Sequence, residues 1–195
     1  MLEKNYKLDH DIYHLLKDEP FFALLSRQLD KRCDNSIPTA GMRFNPDRLV
    51  FELIYNSDFM KELSPVHKKW VLMHELYHAS LGHTQFRKLG ELNRMMANCA
   101  MDLAINSLSN MKDNAPDFVL MPGRGDFVDI VLFGQSAEWY ANQIKKEQEK
   151  DPDKFEGGEG QFDDHSEFGE ASATDVGKQI AEKKLQDQFL IKRRR

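Results

Sequence analysis

His74-Glu75-Leu76-Tyr77-His78 is the stretch of this chain best equipped for chemistry: two histidines four residues apart, with a glutamate directly after the first. On a helix, residues i and i+4 stand one above the other, so both imidazoles can reach one ion with Zn–N bonds of roughly 2.0–2.1 Å. Glu75 is turned by about 100° from His74, close enough to handle a water without being a ligand. Zinc brings the pKa of a bound water toward roughly 7, and Glu75 can take its proton as it attacks a carbonyl. An HExxH pattern also arises by chance as a solvent-facing pair. The neighbours Trp70, Val71, Leu72, Leu76 and Leu81 argue against that, because they make the helix largely buried. Imidazole and carboxylate groups in such a helix need a partner, since burying them unpaired is costly. Zn2+ is the partner this reading expects.

A catalytic zinc needs a third protein ligand and keeps a fourth position open. His83 follows His78 by five residues, directly after Gly82. If the helix ran on, His83 would lie about 180° from His74 and point away. Asp102 is the better candidate. The segment 91–109 is apolar nearly all round, and Asn98, Asp102 and Asn106 form a polar stripe at i, i+4 and i+8. A helix apolar on most faces is usually buried, and a buried polar stripe should face something polar. The alternative is that the stripe is the solvent face. On the functional reading Asp102 ligates, while Asn98 and Asn106 orient it. Tyr77, Tyr55 and His83 are candidates for stabilising an oxyanion. Cys99 reads as a small core residue, Arg87 as a loop anchor, and His165 as part of a solvated acidic loop.

Several elements must position these groups. Residues 6–32 have apolar residues at helical intervals (Leu8, Ile12, Leu15, Leu16, Phe22, Leu24, Leu25, Leu29), with a break near Pro20. Asn45-Pro46-Asp47 is a turn signal, predicting a hairpin of 40–44 with 48–55. The strand at 49–55 is expected to be an edge along which an extended peptide adds. Ser64 and Pro65 open the HExxH helix, which should stop near Gly82. Further helices are expected over about 88–109 and 136–150. The predicted organisation is a domain over 1–146, an acidic flexible connection over 147–174, and a C-terminal helix over 175–195 ending in Lys192-Arg193-Arg194-Arg195.

The 195 residues carry a net charge of −5 with 41% hydrophobic residues. That is enough apolar content for a core, and the negative balance argues against an obligatory nucleic-acid partner. Cys33 and Cys99 form no CxxC pair, so neither a disulfide framework nor a four-cysteine zinc site is expected. The N-terminus is polar from its third residue, and no run approaches the roughly 18 apolar residues of a membrane span. A soluble, cytoplasmic protein is expected.

Three stretches together resemble a known family. Leu53-Ile54-Tyr55-Asn56-Ser57-Asp58-Phe59 resembles its L-Y-Y-N-P-x-F segment. The run from His74 to His83 resembles its HExxHxxLxH core, and Asn98 to Asn106 resembles its NxAxDxxIN helix. The family is the metallopeptidase domain at the N-terminus of bacterial and phage VWA-like metallopeptidase proteins. The resemblance implies an α+β, zincin-like fold, mostly helical with a small sheet or hairpin, and Asp102 as third ligand. It further implies a protein or peptide substrate; the VWA-like half is not expected within these 195 residues. The expected function is that of a zinc-dependent peptidase. The rival is a non-catalytic regulatory module with a closed shell of His74, His78, Asp102 and His83, or one recruiting a partner protein through the acidic segment.

Overall fold

The computed structural model describes residues 6–45, 47–83 and 92–152. These fall into two compact units, residues 6–83 and residues 92–152, and each is taken by itself. The architecture is α+β, with six α-helices and one three-stranded sheet among the described residues.

In the first unit, α1 (Leu8–Asp18) and α2 (Pro20–Ser26) are separated at Glu19, where Pro20 starts the second helix. Leu8 and Leu15 of α1 and Phe22, Ala23 and Leu25 of α2 are buried, whereas Leu16 and Leu24, which belong to the same helical spacing, are exposed. The helical reading of 6–32 also runs too far. Residues Asp30–Cys33 form strand β1, not helix. Next come β2 (Ala40–Asn45) and β3 (Val50–Tyr55). The side chain of Asn45 accepts from the backbone N–H groups of Asp47 and Arg48, both at 3.1 Å, which shapes the turn between them.

The strand order is β1-β3-β2, with β1 parallel and β2 antiparallel to β3. The expected hairpin is present, but β3 is the central strand and both its sides are paired. The expectation that a peptide adds along it is therefore corrected: among the described residues the edge strands are β1 and β2. Alternation sorts the two faces. Ala40, Met42 and Phe44 stand opposite Tyr55, Leu53 and Phe51 and are buried, with the Phe44 and Phe51 rings 5.1 Å apart. On the other face Glu52 accepts from Arg43 Nε at 2.7 Å and Asn45 Nδ2 at 2.9 Å. Arg48 adds ion pairs to Glu52 and Asp30, so the buried carboxylate is paired.

A short helix, α3 (Ser57–Glu62), follows β3, capped by the Asn56 side chain. Then comes α4 (Pro65–Ser80), with Ser64 Oγ accepting from His67 N–H at 3.2 Å and Pro65 in the first turn. The start of α4 lies where the sequence placed it. Trp70 to Leu76, His78 and Ala79 are all buried, so α4 is a core helix covered on most sides. Packing against α2 includes the Tyr77 ring edge-on to Phe22 at 4.7 Å.

In the second unit, α5 (Arg94–Asn106) begins with the Asn93 side chain accepting from Met96 N–H at 2.9 Å. A largely irregular stretch leads to α6 (Ala137–Lys150), capped by Ser136. Helix α6 packs on α5 through Tyr140, Ala141 and Ile144. The Tyr140 hydroxyl donates to the Leu132 carbonyl at 2.7 Å and lies 3.0 Å from Ser107 Oγ, which accepts from Gly134 N–H. These bonds tie the end of α5 to the chain before α6. No described helix is long and apolar enough to cross a membrane. The acidic connection, the C-terminal helix, His165, Arg87 and the Lys192–Arg195 run lie outside the described residues.

Candidate metal centre

Helix α4 buries its chemistry. His74 is 1% exposed, and Glu75 and His78 are 0% exposed. The one-turn spacing brings His74 Nε2 and His78 Nε2 to 3.0 Å, with ring centroids 4.7 Å apart. Two nitrogens bound to one tetrahedral zinc would stand about 3.3 Å apart, so the pair already has nearly the separation a shared ion demands. Trp70, one turn earlier, stacks on the His74 imidazole at 5.2 Å and 17° between planes, which restricts that ring's rotation.

The helix ends sooner than His83. Its last residue is Ser80; Leu81 N–H bonds back to the Tyr77 carbonyl at 2.8 Å, and Gly82 takes a left-handed φ of 72°. Glycine supplies that conformation without a Cβ penalty and reverses the chain. His83 consequently does not point away, as a continuing helix would require. It is 2% exposed, with Nδ1 at 3.2 Å from Nδ1 of His78. His78 thus meets His74 with one ring nitrogen and His83 with the other.

On α5, Asp102 is 3% exposed and Asn106 is 1% exposed, so the polar stripe is not a solvent face. Asn106 Nδ2 donates to the Leu120 carbonyl at 2.9 Å, which anchors the following segment. Asn98 is half-buried. Cys99 is buried, and burial first, with the Asp102 charge second, pushes its thiol well above the ordinary range. That fits a core residue and disfavours a thiolate.

His74, His78 and Asp102 are all buried, and each offers a ligand atom; these atoms lie within 4.8 Å of one another. Among the described residues this is the one group of three or more His, Cys, Asp or Glu side chains so arranged. Two imidazole nitrogens and one carboxylate oxygen, withdrawn from water, make a donor set that fits a divalent first-row metal. Residues 3–187 match the family described as "Putative metallopeptidase domain". The chain belongs to this family. No curated protein and no solved structure matches it.

Within the metallopeptidase domain the lesser candidates have ordinary surroundings. Tyr77 is half-buried with its ring against Phe22. Tyr55 ends β3 with its ring edge-on to Tyr6 at 5.9 Å, and burial raises its hydroxyl pKa. Sequence reasoning missed two features of the site. The Trp70–His74 stack was legible in principle, since an aromatic four residues before a ligand shares its helix face. The return of His83 onto His78 depends on Gly82 adopting its left-handed φ, which the Gly-His dipeptide permits without requiring.

Proposed function

We propose that this chain is a zinc-dependent peptidase in which His74, His78 and Asp102 hold the ion and Glu75 is the general base. The observation that carries the reading is the buried His74–His78–Asp102 group in a chain of the metallopeptidase family. Zinc is favoured over harder cations because two of the three donors are imidazoles. When bound, the ion supplies Lewis acidity that polarises a peptide carbonyl and acidifies water.

The chain's own residues divide the remaining work. His74 and His78 present Nε2, leaving Nδ1 of His78 to carry a proton and donate to Nδ1 of His83. That bond fixes the tautomer and ring orientation of His78, so His83 is a positioning residue. Asp102 contributes the negative charge that offsets the dication. Asn98 and Asn106, one turn before and after it on α5, are the groups assigned to orient that carboxylate, and Asn106 also anchors the helix through its bond to the Leu120 carbonyl. Glu75, adjacent to His74 and fully buried, takes the proton of the attacking water and returns it to the leaving amine. The substrate class is a peptide, in line with the family. The zincin-like, VWA-associated placement rests on the three sequence stretches named above. The two free thiols suit a reducing, cytoplasmic setting.

The closed four-ligand alternative needs His83 on the ion. The contact of His83 with the nitrogen of His78 that faces away from His74 speaks against it. Metal analysis of the purified chain, joined with peptide hydrolysis by Glu75→Gln, tests the proposal. One zinc per chain is expected in both proteins, with hydrolysis lost by a factor of about 10²–10⁴ in the variant. Undiminished hydrolysis in Glu75→Gln removes Glu75 from the reaction, and a chain that takes up no zinc removes the proposal.

A further inference from the structure

The geometry points to a second transition-metal site on the exposed side of α1, formed by His10 and His14. These residues repeat the i, i+4 spacing of the buried pair, but on a surface helix. Their Nε2 atoms converge to 3.4 Å, with ring centroids 4.6 Å apart and planes at 69°. The buried pair shows 4.7 Å and 70°. The two ring arrangements are nearly the same, although one is enclosed by the core and the other faces water.

Burial does not press the surface rings together. Two exposed imidazoles also gain little from bonding to each other where water competes for both nitrogens. A separation of 3.4 Å is long for a hydrogen bond, whereas two nitrogens on one tetrahedral ion stand about 3.3 Å apart. The charges around the pair are mixed: Asp9 and Asp11 lie in the first turn of α1 and Asp18 follows His14 by one turn, while Lys7 caps the start of the helix and Lys17 lies in its last turn. Two of these carboxylates already have partners, Asp11 accepting from the Tyr6 hydroxyl at 2.6 Å and Asp18 pairing with Lys69 at 3.1 Å. They contribute field more than ligand atoms. With two imidazoles from the chain and the other positions filled by water, the site suits ions that accept tetragonal nitrogen and oxygen donors. Copper(II) and nickel(II) stand highest by intrinsic affinity, with zinc below copper.

The inference is independent of the buried centre, because its test is a difference between two proteins that share that centre. The full chain, stripped with a chelator, is dialysed against copper(II) chloride beside a His10→Ala/His14→Ala double variant. Both positions are exposed, and matching circular dichroism confirms that the fold is retained. The wild-type chain is expected to retain one more equivalent of copper than the variant. The electron paramagnetic resonance spectrum of that equivalent should show two nitrogen ligands. Equal uptake by the two proteins, or an extra equivalent without nitrogen coupling, overturns the inference.

Discussion

Replacing His83 separates a positioning role from a ligating one. His78 and His83 are 0% and 2% exposed and meet Nδ1 to Nδ1 at 3.2 Å, so water cannot readily take the place of either ring. Removing the group that orients a metal-bound histidine typically lowers metal affinity by about 10–100-fold, or roughly 1.4–2.7 kcal/mol. The contact is at the long end of hydrogen-bond distances, which places the expected loss near the bottom of that range, about tenfold. His83→Ala should therefore bind one zinc with about tenfold weaker affinity. His83→Asn, which keeps an acceptor near the position of Nδ1, should recover part of the loss. A competition titration against a chromophoric chelator reads both values, with thermal melts of the metal-free proteins confirming equal folding. Unchanged affinity in His83→Ala would show that His83 does not orient His78. Complete loss of bound zinc, with the fold intact, would make His83 a ligand and revive the closed shell.

Other consequences follow from the packing. Tyr140→Phe removes the hydroxyl that donates to the Leu132 carbonyl and lies 3.0 Å from the buried Ser107 Oγ, and should destabilise the chain by about 1 kcal/mol, read as a lower urea midpoint. A midpoint equal to wild type would mean that this bond contributes nothing net. Burial alone would raise the Glu52 carboxyl, but hydrogen bonds from Arg43 and Asn45 and the charges of Arg43 and Arg32 outweigh it, holding it below the ordinary 4.5. A depressed carboxylate stabilises the fold above its unfolded value and loses that contribution as pH falls through the folded value. Urea midpoints should therefore fall more steeply below about pH 4.5 in wild type than in Glu52→Gln. Equal slopes would contradict the assignment.

The parts of the fold written in local chemistry were legible. Ser64-Pro65 marks the start of α4, Ser136 the start of α6, and Asn45 the turn of the hairpin, because each satisfies backbone groups within a few residues. The HExxH spacing fixed the approach of the two imidazoles for the same reason. Strand β1 was not legible. Asp30-Lys31-Arg32-Cys33 has no strand composition and is a strand only because β3 lies beside it in parallel. Missing β1 turned β3 from a central strand into an apparent edge, so one error carried the other. Leu16 and Leu24 show the limit of periodicity, which finds an apolar face without telling which part of it is covered. Asp102 was singled out in the sequence because a carboxylate inside an apolar helix demands a partner. The turn of His83 was not, because it hangs on one backbone angle at Gly82.

The central claim is that His74, His78 and Asp102 share one zinc, and X-ray absorption at the zinc edge tests it most directly. The zinc-loaded chain should show only nitrogen and oxygen neighbours at about 2.0–2.1 Å, including two imidazoles, and Asp102→Ala should lose the ion. A sulfur neighbour, fewer than two imidazoles, or a spectrum unchanged by Asp102→Ala would contradict the account.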